Sequence, residues 1–184
     1  MKKLIIFSFI FSLFAASAQD EYRLKYNEET NRVFYQGVVD NIDAKQATLY
    51  TKGIAWFEQE GKKLKFEDAE VSRLVGEATF STIGKKSAYG KAYHYNFTCE
   101  ITLEFKDGKT RYTFDNFKKK TSPGEPGSTL EYFIDNYKPN ISSQKSRDRE
   151  AKMLDEIEIA IDSQVGDLIT QLNTVFGPIA EDGW

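Results

Sequence analysis

Apolar and polar residues alternate without interruption from Tyr93 to Phe105. The apolar positions are Tyr93, Tyr95, Phe97, Cys99, Ile101, Leu103 and Phe105, and the polar positions between them are His94, Asn96, Thr98, Glu100, Thr102 and Glu104. Successive side chains of a strand point to opposite faces of its sheet, so one face here is apolar and the other polar. The pattern predicts an antiparallel sheet with one covered face and one face open to water.

Strand patterns continue on both sides of this segment, over residues 64–117. Asp107-Gly108 supplies residues that tolerate the positive φ of a tight turn, and Tyr112 and Phe114 continue the apolar face on a return strand. The sequence therefore predicts a β-hairpin at this turn. Nearer the N-terminus, a hairpin or a lead-in followed by a strand is predicted from alternation on both sides of the polar segment 27–31, at Tyr22, Leu24 and Tyr26 and then at Val33, Tyr35 and Val39.

A first helix is predicted to begin near Asp43. This residue stands three positions before Gln46, so its carboxylate can accept a hydrogen bond from a free backbone N–H while Gln46 reaches back. Gly61 is placed to end the helix, and Trp56 is expected to pack in the core rather than to form an exposed contact. The apolar residues that share one helical face are Ala47, Tyr50, Ile54 and Phe57.

A second, longer helix is predicted at about 143–176. Its apolar residues recur every three or four positions, at Leu154, Ile157, Ile161, Val165, Leu168, Leu172 and Val175. Residues 118–140 are expected to form an exposed loop, because 118–127 contain three lysines, two prolines and two glycines. The order of strand, helix, antiparallel strands and long helix indicates an α+β fold, with both helices on the apolar face of the sheet.

The N-terminus has the layout of a signal peptide. Two lysines precede the apolar run 4–14, in which only Ser8 and Ser12 are polar, and small residues follow at 16–18. The run is shorter than the ~20 residues that span a membrane. We expect cleavage before Gln19, a secreted or periplasmic product, and no membrane span in the mature chain.

Composition supports a single domain at 19–184. Removing residues 1–18 removes two lysines and no acid, which changes the formal charge of the 184-residue chain from −3 to −5. About 165 residues suffice for one hydrophobic core. Cys99 is the only cysteine, so no disulfide forms within the chain and stability must come from packing.

The sequence contains no pattern that points to catalysis, a metal or a cofactor. His94 is the only histidine and lacks the partners of a zinc site, so we interpret it as a surface residue. Cys99 falls on the apolar face of its strand, where a thiol acts as a small core residue. Acid pairs such as Glu67 with Asp68, or Asp155 with Glu158, are ordinary on strand ends and helices. The sequence therefore predicts a protein that is not an enzyme and binds no cofactor.

Nucleic-acid binding is also disfavoured. Residues 62–120 hold thirteen basic and eight acidic side chains. Phosphate contacts dominate such binding and need basic groups gathered on one face. The acids Glu100, Glu104 and Asp115 fall on the same polar strand faces as the bases, which predicts a solvated surface with ion pairs.

Several aromatic segments resemble a secreted, largely Bacteroidetes family of unknown function with a TATA-binding-protein-like (TBP-like) fold. The segments are Glu28-Glu29-Thr30, Val33 to Val39, Leu49-Tyr50 and Ala55-Trp56-Phe57, and the resemblance extends through Gly76 to Phe80 and the Asp107 turn to about Phe117. The resemblance implies an α+β fold and a periplasmic or secreted setting. It implies no activity and carries no functional residues.

Function is expected on the polar sheet face. If both helices cover the apolar face, the opposite face is a surface that folding alone does not need. Its candidate partner-binding residues are Thr98, Glu100, Thr102, Arg111 and Thr113. We expect a non-enzymatic cell-envelope module that binds a protein or another envelope partner there. The alternative is a carrier of a small apolar ligand in a cavity between the sheet and the C-terminal helix.

Overall fold

The computed structural model describes residues 24–59, 61–86, 92–120, 127–136 and 144–177. In these ranges the strands are β1 (Tyr26–Asn27), β2 (Arg32–Val33), β3 (Tyr35–Asp40), β4 (Lys62–Asp68), β5 (Arg73–Lys86), β6 (Ala92–Lys106), β7 (Lys109–Lys120) and β8 (Ser128–Thr129). The helices are α1 (Gln46–Phe57), α2 (Leu130–Asn136) and α3 (Gln144–Phe176). The predicted signal peptide at 1–18 and its cleavage site lie outside the described residues.

One antiparallel sheet organises the chain, with strand order β3-β7-β6-β5-β4 and β8 paired to the far end of β7. The predicted α+β fold with an antiparallel sheet is confirmed. A two-stranded hairpin of β1 and β2 precedes β3. The N-terminal segment therefore contains a hairpin and then a strand, the two arrangements that the sequence predicted as alternatives. The turn between β6 and β7 contains Gly108 at φ 74°, the positive value expected for it.

The core lies between one sheet face and two helices. The alternation on β6 is confirmed, because Phe97, Ile101 and Leu103 are fully buried. Helix α1 contacts β5 and β6, and α3 contacts β5 and β3. The ring of Phe105 on β6 lies 5.8 Å from that of Phe176 at the end of α3. Both helices therefore cover the same face.

Helix α3 presents the predicted apolar stripe to the sheet. Its buried residues recur at intervals of three and four, and those at its centre are Ile157, Ile161, Val165, Leu168 and Leu172. Met153 and Phe176 extend the stripe at its two ends, whereas Leu154 and Val175 are only partly buried. The side-chain amide of Asn41 donates to the carbonyl oxygens of Phe176 and Gly177 at 3.0 Å each, which satisfies the C-terminal end of the helix.

Helix α1 buries a face that is rotated from the predicted one and shares Phe57 with it. Leu49, Gly53, Trp56 and Phe57 are buried, whereas Ala47 is exposed and Tyr50 and Ile54 lie at the margin. The periodicity missed this face because Gly53, at its centre, has no apolar side chain to mark it. The prediction that Trp56 packs in the core is confirmed, since the residue is 1% exposed.

The prediction that Asp43 caps the start of α1 is wrong. Lys45 occupies the N-cap position and makes no side-chain capping bond. The backbone N–H of Gln46 instead donates to Oδ1 of Asp107, at 2.9 Å, so the cap comes from the β6–β7 turn. The helix ends at Phe57, and Gly61, at φ 82°, lies in the turn that leads into β4.

We expect Asp107→Ala to destabilise the protein by ~1 kcal/mol, because a free N–H at the start of α1 would lose its acceptor. Asp107→Asn keeps an oxygen acceptor and should retain most of the stability. Asp43→Ala is the matched control and should change little. Urea unfolding of the three variants measures these differences. Equal losses for Asp107→Ala and Asp43→Ala would contradict the assignment of the cap.

The segment 118–140, expected to be a loop, contains secondary structure. Strand β7 continues to Lys120, and β8 and α2 follow. Helix α2 is fixed by a hydrogen bond from the Val33 backbone N–H to Oε1 of Glu131, at 2.8 Å, and by Phe133, whose ring lies 5.8 Å from that of Phe97. A two-residue strand and a seven-residue helix are too short for hydrophobic periodicity to reveal. The long helix predicted at about 143–176 corresponds to α3.

No helix in the described ranges is long and apolar enough to cross a membrane.

Candidate functional site: the open face of the sheet

The sheet face opposite α1 and α3 carries the polar side chains of β3 to β7. We call it the open face, because no helix or strand in the described ranges lies over it. Antiparallel register arranges its residues in rows that run across the strands. One row contains Gln36, Thr113, Thr102, Val75 and Phe66, from β3 through β7, β6 and β5 to β4.

A second row of the open face consists of carboxylates. Glu77 on β5 is directly opposite Glu100 on β6, and Glu100 is directly opposite Asp115 on β7. We call these three residues the acidic row. A β-bulge follows Asp115, where Asn116 adopts φ 49°. Regular alternation from Phe114 would direct residue 116 into the core, and the extra residue of the bulge directs Phe117 there instead. The bulge thus allows β7 to keep both Phe114 and Phe117 buried.

The acidic row is only partly neutralised. Nζ of Lys65 lies 2.6 Å from Oε2 of Glu77. The side chain of Glu100 makes no hydrogen bond or ion pair with the described part of the chain. Partial burial and the neighbouring Glu100 carboxylate raise the pKa of Asp115, while Arg32 and Arg73 oppose the shift. Like charges directly opposite each other destabilise a sheet, so the row holds unfavourable charge that folding does not require.

We expect Asp115→Asn to stabilise the protein at neutral pH by a few tenths of a kcal/mol up to ~1 kcal/mol. The raised pKa fixes the sign of the pH dependence. Protonation of Asp115 favours the folded state, so the penalty is absent below the ordinary carboxyl pKa of about 4 and develops as the pH rises towards neutrality. Urea unfolding of variant and wild type should therefore converge near pH 4 and diverge above it. A pH-independent gain for Asp115→Asn would contradict the interpretation.

The structure brings four of the five predicted site residues to the accessible part of the open face. Thr102 and Thr113 are directly opposite each other, and the side-chain amide of Gln36 donates to the Thr113 hydroxyl at 3.2 Å. Glu100 is the central member of the acidic row. Arg111 is exposed, and its guanidinium group is ion-paired. Thr98 contributes little surface because it is 7% exposed.

Arg111 is held by an ion pair across two strands. Its Nε donates to Oε2 of Glu104 at 2.7 Å, and Nη2 approaches the same oxygen. A reversed charge at position 111 would therefore face Glu104 and change stability as well as binding. Glu100 lacks such a partner, so it is the better position at which to test the face.

The other residues considered for metal binding or catalysis either lie at the surface or have a structural role. His94 is exposed, and burial raises the pKa of the Cys99 thiol, which keeps it unreactive at neutral pH. The Asp68 carboxylate accepts hydrogen bonds from the backbone N–H groups of Glu70 and Val71, a turn-forming role. In the described ranges, no group of three or more His, Cys, Asp or Glu side chains is arranged to hold a metal ion.

Sequence analysis missed Glu77 and Asp115 as members of this site. They are 38 positions apart and become neighbours of Glu100 only through the pairing of β5, β6 and β7. Alternation assigns each residue to the polar face of its own strand, but it does not give the register between strands. The signal that could have found Asp115 is the register set by the Asp107-Gly108 turn, which continues unshifted to the Glu100–Asp115 pair. Glu77 needs in addition the register of β5 with β6.

Comparison with known proteins finds a family match over part of the chain and the same fold in solved structures. Residues 35–120 match a family described as a domain of unknown function (DUF4468) with TBP-like fold. The crystal structure of a DUF4468 family protein from Bacteroides ovatus is similar with a TM-score of 0.62 and 13% identity, over 89% of this chain and 98% of that one. A TBP-like protein from Parabacteroides distasonis gives a TM-score of 0.54 and 9% identity, over 78% of this chain and 92% of that one. No curated protein sequence matches.

Proposed function

We propose that this chain, whose residues 35–120 form a domain of the DUF4468 family, is a non-enzymatic binding module of the cell envelope. Its open face holds a protein partner that presents basic side chains. The observation that carries the proposal is the acidic row, in which three carboxylates stand side by side on a sheet face that no described element covers.

Charge complementarity explains why a basic partner suits this face. Adjacent carboxylates repel each other in the free protein, and a lysine or arginine placed between them would relieve the repulsion and add charge-assisted hydrogen bonds. Such pairing sets specificity and the rate of encounter more than it sets raw affinity. The two threonines of the neighbouring row, Thr102 and Thr113, offer hydroxyl groups beside the carboxylates.

Two further observations support the remainder of the proposal. The pattern of residues 1–18 supports export, and export would place the open face before envelope proteins rather than cytoplasmic ones. Catalytic carboxylates work in sites that exclude water, whereas the acidic row lies on a broad and partly exposed surface. The exposed position therefore favours binding over catalysis.

The test compares Glu100→Lys with Asp167→Lys, a charge reversal of the same kind on the exposed side of α3. Asp167→Lys should melt within ~2 °C of the wild type, since exposed charge changes alter stability by less than about 0.5 kcal/mol. Glu100→Lys should melt at the same temperature or higher, because it removes the repulsion between Glu100 and its neighbours in the acidic row. Partners captured from the host envelope by the wild type should be retained by Asp167→Lys and lost by Glu100→Lys. Calorimetry with each purified partner should then show at least a ~10-fold weaker affinity for Glu100→Lys, and more at low salt.

Equal affinity of both variants for every captured partner would contradict the proposal. It would favour the alternative function, a carrier of a small apolar ligand between the sheet and α3. The described surface there is less suited to such a ligand, because the groove at the margin of α3 combines the apolar Ala78, Phe80 and Leu168 with the polar Lys62, Gln164, Asp167 and Gln171. A stoichiometric lipid or metabolite in native mass spectrometry of protein from its host would support the carrier.

A further inference from the structure

A depression of about 210 Å³ lies on the open face beside the turn between β6 and β7. Its lining is mainly apolar with a basic rim, and consists of Val38, Val71, Glu104, Phe105, Lys106, Lys109 and Arg111. Val38 is 51% exposed and Val71 is 62% exposed. Two exposed aliphatic side chains on the same depression form an apolar surface that the fold does not use.

The apolar wall at Val71 is fixed by backbone hydrogen bonds. The Asp68 carboxylate accepts from the backbone N–H of Val71 at 3.2 Å, and the carbonyl oxygen of Ser72 accepts from the backbone N–H of Phe105 at 3.0 Å. The turn between β4 and β5 is thereby tied to β6. Because the wall is already in place, a ligand would bind without the entropy loss of ordering it.

The rim of the depression carries unpaired positive charge. Lys106 and Lys109 are directly opposite each other across the turn, an unfavourable pair of like charges. Nζ of Lys109 lies 3.5 Å from Oδ1 of Asp40 in an exposed ion pair, whereas Lys106 has no hydrogen bond or ion pair in the described part of the chain. Arg111 uses Nε and Nη2 on Glu104 and retains further N–H donors.

We propose that this depression binds an apolar carboxylate, with the carboxylate between Lys106 and Lys109 and the apolar group against Val38 and Val71. The volume is below the ~300 Å³ of ordinary drug-sized pockets, so it suits a short acyl or aryl acid, or one terminal residue of a polypeptide. These two sources share the chemistry that the depression recognises. The site is separate from the acidic row and needs no protein partner, so it stands or falls independently of the proposed function.

The direct test is a titration of the ¹⁵N-labelled protein with hexanoate, followed by NMR. Hexanoate should bind with about millimolar affinity, as expected for a ligand of this size, and should shift the amide resonances of Val38, Val71 and Lys106. Hexanamide has the same chain without the charge and should bind at least ~5-fold more weakly, because charge-assisted hydrogen bonds are stronger than neutral ones. Shifts that map elsewhere, an absence of saturable shifts, or equal binding of the amide would overturn the proposal.

Variants assign the interaction to its residues. Lys106→Gln should weaken hexanoate binding by ~5-fold or more and leave hexanamide unaffected, since it removes only the charge. Lys118→Gln, at the opposite end of the open face, is the matched control and should bind like the wild type. Both positions are exposed, and the amide spectrum of each variant verifies its fold. An equal loss in both variants would overturn the assignment by showing that the effect is only the net charge.

A second titration distinguishes the two sources of the carboxylate. A short peptide with a C-terminal leucine is compared with the same peptide as its C-terminal amide. Binding of the free-acid peptide at least ~10-fold tighter than hexanoate would identify a polypeptide terminus as the ligand, because flanking residues would add contacts. Tighter binding of hexanoate would identify a free acid. Either result supports the site, and indifference to the terminal charge would count against it.

Discussion

Replacing Ile161 with aspartate is expected to unfold the domain. The residue is fully buried at the centre of the α3 stripe, where its side chain packs against the sheet. A carboxylate in that position would have no partner, and burying it without one costs several kcal/mol. That cost is comparable with the whole stability of an ordinary domain, ~5–15 kcal/mol. Far-ultraviolet circular dichroism with a thermal melt would show the loss of the folded state at 25 °C.

The matched control lies two positions earlier on the same helix. Ile159 is 45% exposed, so Ile159→Asp introduces the same group into water rather than into the core. Its effect on the free energy of unfolding should be no more than ~1 kcal/mol, because the added carboxylate remains in water although it lies three or four positions from Asp155, Glu156 and Asp162. If both variants melted together near the wild-type temperature, α3 would not be packed on the sheet as described. If both unfolded, the outward position of Ile159 would be wrong, because isoleucine and aspartate differ too little in helix propensity to unfold a domain.

Long elements with one chemical character on each face were predictable from the sequence. Thirteen alternating positions define β6, and seven apolar residues at helical spacing define α3, so each pattern exceeds what chance would produce. Both patterns reflect burial alone, because the apolar positions face the core and the polar positions between them do not. The same reasoning predicted which face of the sheet is covered and which is open. Assigning a residue to a face requires only the two-residue period of its own strand, and not the identity of the neighbouring strands.

Features that depend on contacts between distant segments were not predictable in this way. The cap of α1 comes from Asp107, which is 61 positions away from the N–H that it accepts. The acidic row requires the register of three strands, of which the β6–β7 pairing follows from the Asp107-Gly108 turn and the β5–β6 pairing does not. The periodic signal describes one segment at a time, so it contains neither kind of information.

The open face carries a group of acidic side chains and a group of basic side chains at separate positions. The acidic row is under-neutralised at its centre, and at the turn Lys106 lies opposite Lys109, of which only Lys109 has an acidic partner in the described ranges. Alternating ion pairs, of the kind that Arg111 and Glu104 make, would be the more stable arrangement for a surface that is merely solvated. Segregated charge lowers stability slightly and raises the selectivity of whatever binds, which is why both proposals concern this face.

The same substitution at two helical glycines should change stability in opposite directions. Gly53 of α1 faces the sheet, and a Cβ atom built on it would lie 2.5 Å from Cζ of Phe105 and 2.8 Å from Cδ1 of Leu74. Gly166 of α3 is exposed, and a Cβ atom there would meet nothing within 4 Å. Alanine in place of glycine within a helix gains ~1 kcal/mol, so Gly166→Ala should stabilise by about that amount.

Gly53→Ala gains the same helix propensity but must also displace two buried side chains. Overpacking a well-filled core costs ~1–3 kcal/mol, so the net effect should be a loss of stability. Neither neighbour can move into water, because Phe105 is 2% exposed and Leu74 is fully buried. Urea unfolding of the two variants under identical conditions measures the contrast. A gain at position 53 equal to that at 166 would mean that α1 can move away from the sheet to admit a methyl group, and that the glycine is not what sets the distance between them.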